Sequence, residues 1–299
     1  MTTGRYAPSP SGDLHIGNLR TAVLAWVFAR GDRGRFVLRF EDLDRVKDGA
    51  QQRQLADLAE IGLEWDQPVL VQSDRVAAHR AAVAELTARG LTYECFCTRR
   101  EIQAEIAAAG GAPHGAPGAY PGTCRHLTRE QRAQRRRQRP PAIRLRAQVD
   151  QATVTDRLAG EVTDAVDDLV LLRQDGQPAY NLAVVLDDFF QGVDQVVRAD
   201  DLLSSAPRQA YLAQLLGLPA VEYVHVPLVL NTSGQRLAKR DGAVTLDDLR
   251  SAGYTTADVM GWIGESLGLP QPVRSADDVL TQRNDLRLRD GPWVFTAPA

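Results

Sequence analysis

The three cysteines of this 299-residue chain are clustered between residues 95 and 124. Cys95 and Cys97 form a Cys-x-Cys pair, and Cys124 follows them. Three thiols cannot form a closed set of disulfides, so the cluster favours metal binding over cross-linking. A tetrahedral zinc site needs a fourth donor, and the nearby candidates are Tyr120, His114 and His126. The alternative interpretation is three unrelated thiols.

A second group of residues has the features of a phosphate site. Residues 8–18 combine a turn rich in Pro, Ser and Gly with His15 and Gly17, directly before an apolar helical pattern. The N-terminus of a helix presents free backbone N–H groups and a positive dipole end, which suit a phosphate. His15 could donate to a phosphate oxygen, and Gly17 would let a nucleotide lie against the backbone. The plainer alternative is a turn with a capping histidine.

The basic segment 236–242, which contains Lys239, follows an apolar stretch predicted as a strand over residues 224–230. Fixed positive charge beyond a strand end offsets the charge that develops on a polyphosphate leaving group. Taken alone, the segment could be a solvated basic loop. In this order along one chain, the two segments together favour a nucleotide site.

Helix and strand patterns alternate along the first 90 residues. A single apolar stripe begins after Gly17 and Asn18, and Gly31 ends it; its members are Leu19, Ala22, Val23, Trp26 and Val27. Strands are predicted over 5–7 and 36–40, and helices over 50–61 and 75–89. This alternation predicts a parallel sheet whose ligands bind beyond the carboxyl ends of the strands.

The alternation stops at residue 91 and resumes near residue 177. The intervening stretch holds the cysteines, a Gly/Ala/Pro-rich loop and an arginine-rich run. We therefore predict a doubly wound α/β domain in two halves, 1–90 and 177–245. An insertion over 91–176 separates these halves, and a small helical part follows over 246–299.

The charge and the apolar content of the chain indicate whether it binds nucleic acid or a membrane. The chain has 35 Lys+Arg and 38 Asp+Glu, a net charge of −3, which argues against a uniformly basic surface for nucleic acid. Residues 125–146, however, contain nine arginines and one acid, Glu130. Such a local patch favours RNA contact, and a solvated helix broken by Pro140 and Pro141 is the alternative. The longest apolar run, 21–29, is too short for a bilayer, so no membrane partner and a cytoplasmic location are expected.

Five separated segments resemble class I glutamyl-tRNA synthetases: residues 5–22, 38–44, 95–99, 180–188 and 197–198. After their basic loop, glutamyl-tRNA synthetases continue into a large helical anticodon-binding region, whereas this chain has only the small helical part over 246–299. The resemblance therefore implies the shorter glutamyl-Q tRNA(Asp) synthetase family. It also implies a split Rossmann domain with a zinc-containing α+β insertion, and no anticodon-binding domain.

The same resemblance assigns a pocket for L-glutamate to Arg5, Tyr6, Ala7, Pro8, Ser9, Glu41, Tyr180 and Arg198. The chemistry agrees, because glutamate carries two carboxylates and one ammonium group. Arg5 and Arg198 can bind carboxylates through their planar guanidinium groups, while Glu41 can accept from the ammonium group.

The resemblance also assigns the ATP site to His15, Gly17, Asn18 and Lys239, with His15 and Lys239 as catalytic residues and Mg²⁺ accompanying ATP. One structural zinc per chain is implied on Cys95, Cys97, Tyr120 and Cys124, with His114 and His126 as rivals of Tyr120. The implied activity is formation of glutamyl-adenylate and glutamate transfer to the queuosine of tRNA(Asp) by a monomer. The alternatives are a shortened glutamyl-tRNA synthetase that charges a 3′ end, a non-catalytic RNA-binding paralogue, and another nucleotidyltransferase with a His-x-Gly motif.

Two departures from the family pattern affect the site. The basic loop has Arg236 and Ala238 where these enzymes usually have a lysine and a serine, so Lys239 is the lysine expected at ATP. Ala199 follows Arg198 where glycine is usual, which makes a left-handed backbone conformation after the arginine unfavourable.

Overall fold

The structure, a computed structural model, describes residues 1–31, 33–108, 120–237, 244–288 and 291–296. Its strands are β1 (Thr3–Tyr6), β2 (Arg35–Phe40), β3 (Asp66–Val71), β4 (Thr92–Cys95), β5 (Ala142–Leu145), β6 (Gln151–Asp156), β7 (Gly160–Ala165), β8 (Val170–Leu172), β9 (Gln195–Ala199), β10 (Glu222–Val226), β11 (Val229–Leu230) and β12 (Trp293–Val294). Its helices are α1 (Ile16–Gly31), α2 (Ala50–Glu60), α3 (Val76–Ala88), α4 (Arg99–Ala108), α5 (Arg129–Arg136), α6 (Tyr180–Phe190), α7 (Ala206–Leu215), α8 (Leu246–Ser251), α9 (Thr256–Ser266) and α10 (Ala276–Thr281).

The main sheet has seven strands in the order β3-β2-β1-β9-β10-β6-β7. The first six strands in this order are parallel to their neighbours, and the seventh, β7, pairs antiparallel with β6. The chain runs outward from β1 to β2 on one side, and outward from β9 to β10 on the other. The carboxyl ends of β1 and β9 therefore border the crevice in which open α/β sheets bind ligands. The predicted parallel sheet is confirmed.

Helix α1 lies in the main core against β1 and β9. Its buried side chains include Ile16, Leu19 and Val23, each with 0% exposure. Gly4 allows the close approach, since a Cβ at that position would lie 2.8 Å from the Cβ of Ala29. The helix begins at Ile16, earlier than the apolar stripe predicted.

The region predicted as an insertion contains two different sheets. Strands β4, β5 and β8 form a three-stranded antiparallel sheet over a second core that includes Leu86, Leu145 and Leu171. The hairpin β6–β7 falls inside the predicted 91–176 segment, yet it extends the main sheet, with Asp156 opposite Tyr223 of β10.

Two strands differ from the sequence-based prediction for physical reasons. The stretch predicted as one strand over 224–230 is two strands, β10 and β11, separated at Pro227, whose ring nitrogen cannot donate a hydrogen bond. Strand β3, which was not predicted, lies at the sheet edge and has no buried residue, so it lacks an alternating apolar pattern. After residue 246 the described chain contains the helices α8, α9 and α10 and the short strand β12. Among the described helices, none is long and apolar enough to cross a membrane.

Candidate active site

A cleft of about 730 Å³ opens at the carboxyl ends of β1 and β9. It lies at the point where the strand order reverses, as expected for this sheet topology. The predicted site residues that line it are Arg5, Tyr6, Ala7, Pro8, Ser9, His15, Asn18, Glu41, Tyr180 and Arg198. Residues from four separated segments of the chain therefore meet in one cavity.

Two buried arginines face this cleft from neighbouring strands. Arg5 on β1 donates from Nη1 to the carbonyl oxygen of Val197 at 2.9 Å and from Nε to Asp188 at 3.2 Å. Arg198 on β9 is 5% exposed, and burial lowers the pKa of its guanidinium group. Because both side chains are held by protein acceptors, their remaining N–H groups have fixed directions for binding an anion.

An acidic group lies beside the two arginines. Glu41 follows β2 and accepts from Nη2 of Arg39 at 3.3 Å, while its backbone N–H donates to the carbonyl oxygen of Pro8 at 3.0 Å. Burial raises the pKa of the Glu41 carboxyl group. Arg39 is fully buried and also forms an ion pair with Asp188 at 2.8 Å. Arg39 therefore holds Glu41 from beneath the pocket.

Asp188, which the sequence patterns did not single out, is an ion-pair partner of the site residue Arg5. Its carboxylate lies between Arg5 and Arg39, at 3.2 and 2.8 Å respectively. The preceding residue, Asp187, has a separate role, because it binds Arg75, directly before α3, and His79 on α3 at 2.8 Å each. Two acids inside the apolar stretch of α6 were the available signal, since buried carboxylates require partners.

Tyr180 is the first residue of α6 and remains 40% exposed, which places it at the wall of the cleft and not in a core. The backbone after Arg198 takes the conformation that alanine favours. Ala199 has φ −68° and ψ 149°, an extended conformation. The usual glycine is therefore not needed at this position.

His15 and Asn18 cap the first turn of α1 reciprocally. The His15 backbone N–H donates to Oδ1 of Asn18 at 3.1 Å, and the Asn18 backbone N–H donates to Nδ1 of His15 at 3.2 Å. Burial, followed by the positive charge of Arg236, lowers the pKa of His15 to about 4. The ring is therefore neutral at pH 7. Since Nδ1 accepts, the proton is on Nε2, which is available as a donor.

Gly17 lies directly beneath the His15 ring. A Cβ on Gly17 would lie 3.0 Å from two atoms of that ring and 3.1 Å from the Cβ of Val229. The glycine thus makes room for the imidazole. Lys239 and Ala238 lie outside the described residues, whereas Arg236 lines the cleft and forms an ion pair with Asp201 at 2.6 Å.

The three cysteines converge on one point of the insertion. Their Sγ atoms lie within 4.8 Å of one another, and Cys97 Sγ is 3.5 Å from Cys124 Sγ, too far for a disulfide. Tyr120 Oη lies 3.3 Å from Cys95 Sγ and 3.5 Å from Cys97 Sγ. Four donors around one zinc at ~2.3 Å would be separated by roughly 3.8 Å, so this set fits a tetrahedral ion.

The rivals of Tyr120 have different positions. His126 is exposed, and its imidazole is not part of the thiol cluster. His114 lies outside the described residues. The Tyr120 ring is further fixed by the guanidinium carbon of Arg144, which lies 3.8 Å from the ring centroid.

Six of the nine arginines between residues 125 and 146 have partners within the insertion. The ion pairs join Arg125 to Asp168 at 2.7 Å, Arg136 to Glu94 at 2.6 Å and Arg139 to Glu101 at 2.9 Å. Arg135 contacts Cys124 Sγ, while Arg144 and Arg146 donate to backbone carbonyls. In the described part of the chain, no such partner is found for Arg129, Arg132 and Arg137, which lie on α5 and at its C-terminal end.

A second cleft, of about 740 Å³, lies between α6, α7 and the β6–β7 hairpin. Among the described residues that line it, Asp188 is the only charged one. This second cleft therefore lacks the grouping of opposite charges that suits an amino acid and a phosphate.

Comparison with known proteins identifies the family. Residues 1–272 match the family model of the class I tRNA synthetases (E and Q), catalytic domain. A glutamyl-Q tRNA(Asp) synthetase of Nocardia farcinica is 61% identical over 294 residues, which are 98% of this chain and 93% of that protein. The chain belongs to the glutamyl-Q tRNA(Asp) synthetase family. A further member, from Deinococcus radiodurans, is 44% identical and is aligned over 90% of both chains.

Membership of the glutamyl-Q tRNA(Asp) synthetase family makes the chain an enzyme of the ligase class. The fold is shared with longer proteins. A crystal structure of a glutamate tRNA ligase from Elizabethkingia meningosepticum, in complex with its amino acid, matches with a TM-score of 0.83 and 25% identity. It covers 99% of this chain and 67% of that one. A glutamate–tRNA ligase of Nitrosospira multiformis is 39% identical over 88% of this chain, but over 57% of its own length.

Proposed function

We propose that this chain activates L-glutamate with ATP and transfers it to the queuosine of tRNA(Asp). The observation that carries the proposal is the grouping of Arg5, Arg198 and Glu41 in the cleft that also contains the His15 end of α1. Two cations and one anion complement the two carboxylates and the ammonium group of glutamate. The names of the family members support the same substrate and acceptor.

In the activation step, an oxygen of the glutamate α-carboxylate attacks the α-phosphorus of ATP. A phosphorus–oxygen bond to glutamate forms, the bond to the β-phosphate oxygen breaks, and pyrophosphate leaves with that electron pair. His15 donates from Nε2 to a phosphate oxygen, and the positive dipole end of α1 adds to the attraction. Lys239 is proposed to bind the same phosphates, and Mg²⁺ would supply further neutralising charge when bound with ATP.

In the transfer step, a hydroxyl of the queuosine cyclopentenediol attacks the carbonyl carbon of the adenylate, and AMP leaves. No covalent enzyme nucleophile is required, because ATP supplies the activation and the cleft supplies positioning. Arg129, Arg132 and Arg137 are the proposed contacts to RNA phosphates, since internal acceptors hold the other arginines of the run.

The thiol cluster is proposed to hold one structural zinc on Cys95, Cys97, Tyr120 and Cys124. The donor set supports this proposal, because thiolates and one oxygen at these separations suit a closed tetrahedral site. Such an ion would fix the end of β4 against the turn that carries Cys124. Its role would be structural, and it would take no part in the reaction.

Purified protein is expected to contain about one zinc per chain, and Cys124→Ser to contain about none. Metal analysis and thermal unfolding of both proteins check this expectation, since loss of the ion should also lower the unfolding temperature. Tyr120→Phe should weaken zinc retention against a chelator, whereas the control His126→Ala should not. The opposite order would make His126 the fourth ligand, and zinc-free protein with full activity would refute the site.

Arg198→Ala and Glu41→Ala are each expected to raise the KM for glutamate by about 10- to 100-fold, because each removes a charge-assisted hydrogen bond to the substrate. Glutamate-dependent exchange of pyrophosphate with ATP measures this effect, while the KM for ATP should change little. Arg157→Ala is the matched control, since this exposed arginine lies outside the cleft. If wild-type protein exchanged pyrophosphate with glutamine or aspartate and not with glutamate, the proposed function would be wrong.

A further inference from the structure

Arg198 is the last member of a buried chain of hydrogen bonds that crosses three adjacent strands. Nε of Arg198 on β9 donates to Nε2 of His225 on β10 at 2.9 Å. Nδ1 of His225 lies 2.7 Å from Oδ2 of Asp156, the last residue of β6. His225 is 3% exposed and Asp156 is 1% exposed, so both residues are buried inside the protein.

The hydrogen bonds fix the protonation state of the histidine. Arginine Nε is always a donor, so Nε2 of His225 must be the unprotonated, accepting nitrogen. The ring proton is therefore on Nδ1, and Asp156 accepts it. Asp156 is itself fixed, because Oδ1 accepts from the backbone N–H groups of Leu158 and Ala159 at 2.9 Å each. Its Oδ2 accepts from the His225 backbone N–H at 3.0 Å.

The remaining contacts of Arg198 set the orientation of its guanidinium group. Nη1 donates to Oε1 of Gln209 at 2.8 Å, and Nη2 donates to the carbonyl oxygen of Leu202 at 3.3 Å. With Nε bound to His225, three of the five N–H groups are used by the protein. One N–H group then remains on each terminal nitrogen, which is the arrangement that binds a carboxylate through both of its oxygens.

We propose that His225 and Asp156 are positioning residues for substrate binding: they hold Arg198 in the orientation that accepts a carboxylate of glutamate, and only neutral His225 can do so. The inference rests on the proposed function, because it deepens the role of the same pocket. It also assigns a function to the β6–β7 hairpin, which supplies Asp156 to the main sheet.

The charges around His225 support a neutral ring at pH 7. Burial, followed by the charge of Arg198 on β9, lowers the pKa of His225, and Arg5 on β1 acts in the same direction. Asp156 on β6 opposes the shift. Tyr223, which is on β10 with His225, stacks against the imidazole with 5.9 Å between the ring centroids. As the pH falls through this lowered pKa, protonation removes the acceptor and places a second cation beside Arg198. The KM for glutamate should therefore rise at acidic pH.

A pair of substitutions separates positioning from simple packing. Glutamine at position 225 can place its Oε1 where Nε2 of histidine accepts from Arg198. Asparagine is shorter, and it keeps a donor for Asp156 but cannot reach the arginine. We expect the KM for glutamate to be about 10- to 100-fold higher in His225→Asn than in His225→Gln, because a hydrogen bond to a charged group is lost. The KM for ATP should be similar in the two variants.

The measurement is glutamate-dependent pyrophosphate exchange between pH 5.5 and 8, with unfolding temperatures recorded for each protein. The rise in KM towards low pH should be smaller in His225→Gln than in wild-type protein, since Glu41 still titrates in both but residue 225 does not. Equal KM values in the two variants, or equal pH profiles in His225→Gln and wild type, would overturn the positioning role while leaving the proposed function intact. Wild-type protein without glutamate-dependent exchange would overturn both.

Discussion

Replacing Lys239 by alanine is expected to lower the rate of glutamate-dependent pyrophosphate exchange by about 100- to 1,000-fold, with little change in the KM for glutamate. The cause is loss of a fixed positive charge that binds the phosphates most strongly in the transition state. In the described part of this basic segment, Arg236 lines the cleft and Leu237 is buried. Time courses of pyrophosphate exchange at saturating glutamate and ATP measure the effect.

Two controls make the Lys239 result specific. Arg250→Ala removes an exposed charge that is bound to Glu60 at 2.8 Å and lies outside the cleft, so its exchange rate should match wild type. The chain has only two lysines, Lys47 and Lys239, so labelling by an amine reagent can be assigned by mass spectrometry. ATP should protect Lys239 from this label. An unchanged rate in Lys239→Ala would transfer the phosphate contact to Arg236 or Arg240.

Glutamate transfer is expected with tRNA(Asp) that contains queuosine, and none is expected with an unmodified transcript of the same sequence. The acyl group needs a hydroxyl acceptor, and the vicinal diol of queuosine resembles that of a terminal ribose. The same adenylate can therefore react with either diol, and only the docking of the RNA distinguishes them. Transfer of labelled glutamate, followed on acid gels, measures the acceptor.

Trimming the CCA end separates the two acceptors. Queuosine-containing tRNA(Asp) without its CCA end should still accept glutamate, because the reactive diol is in the anticodon. Charging of an unmodified transcript with an intact CCA end would instead favour a shortened glutamyl-tRNA synthetase. In that case the same increase in the KM for glutamate would still be expected for Arg198→Ala and Glu41→Ala, since both enzymes form the same adenylate.

Local sequence patterns predicted the elements that carry the site. The stripe from Leu19 to Val27 predicted α1, and the strand over 36–40 placed Glu41 beyond its carboxyl end. These predictions succeeded because periodicity and turn residues act over a few positions. Strand β3 and the break at Pro227 were missed, since an edge strand without a buried face has no apolar period and a run of apolar residues hides a single proline.

The sequence also indicated which residues form the pocket, but it did not indicate the partners that hold their side chains in place. Arg5 and Asp188 are 183 positions apart and form an ion pair only because the fold brings the end of α6 to the side chain of a residue on β1. Nothing near Arg39 in the chain indicates that it is fully buried beneath Glu41. Strand order is a property of the whole sheet, so such partners cannot be found by spacing.

The sequence by itself determined which chemical groups are available: two arginines and a glutamate for an amino acid, a histidine before a helix, and three thiols with a nearby tyrosine. The tertiary structure decided how each group is held. It placed Tyr120 and not His126 beside the thiols, fixed the proton of His15 on Nε2, and brought Asp156 and His225 behind Arg198. The reason is physical, since a side chain's type is local, whereas its orientation, protonation state and partners depend on contacts between distant segments.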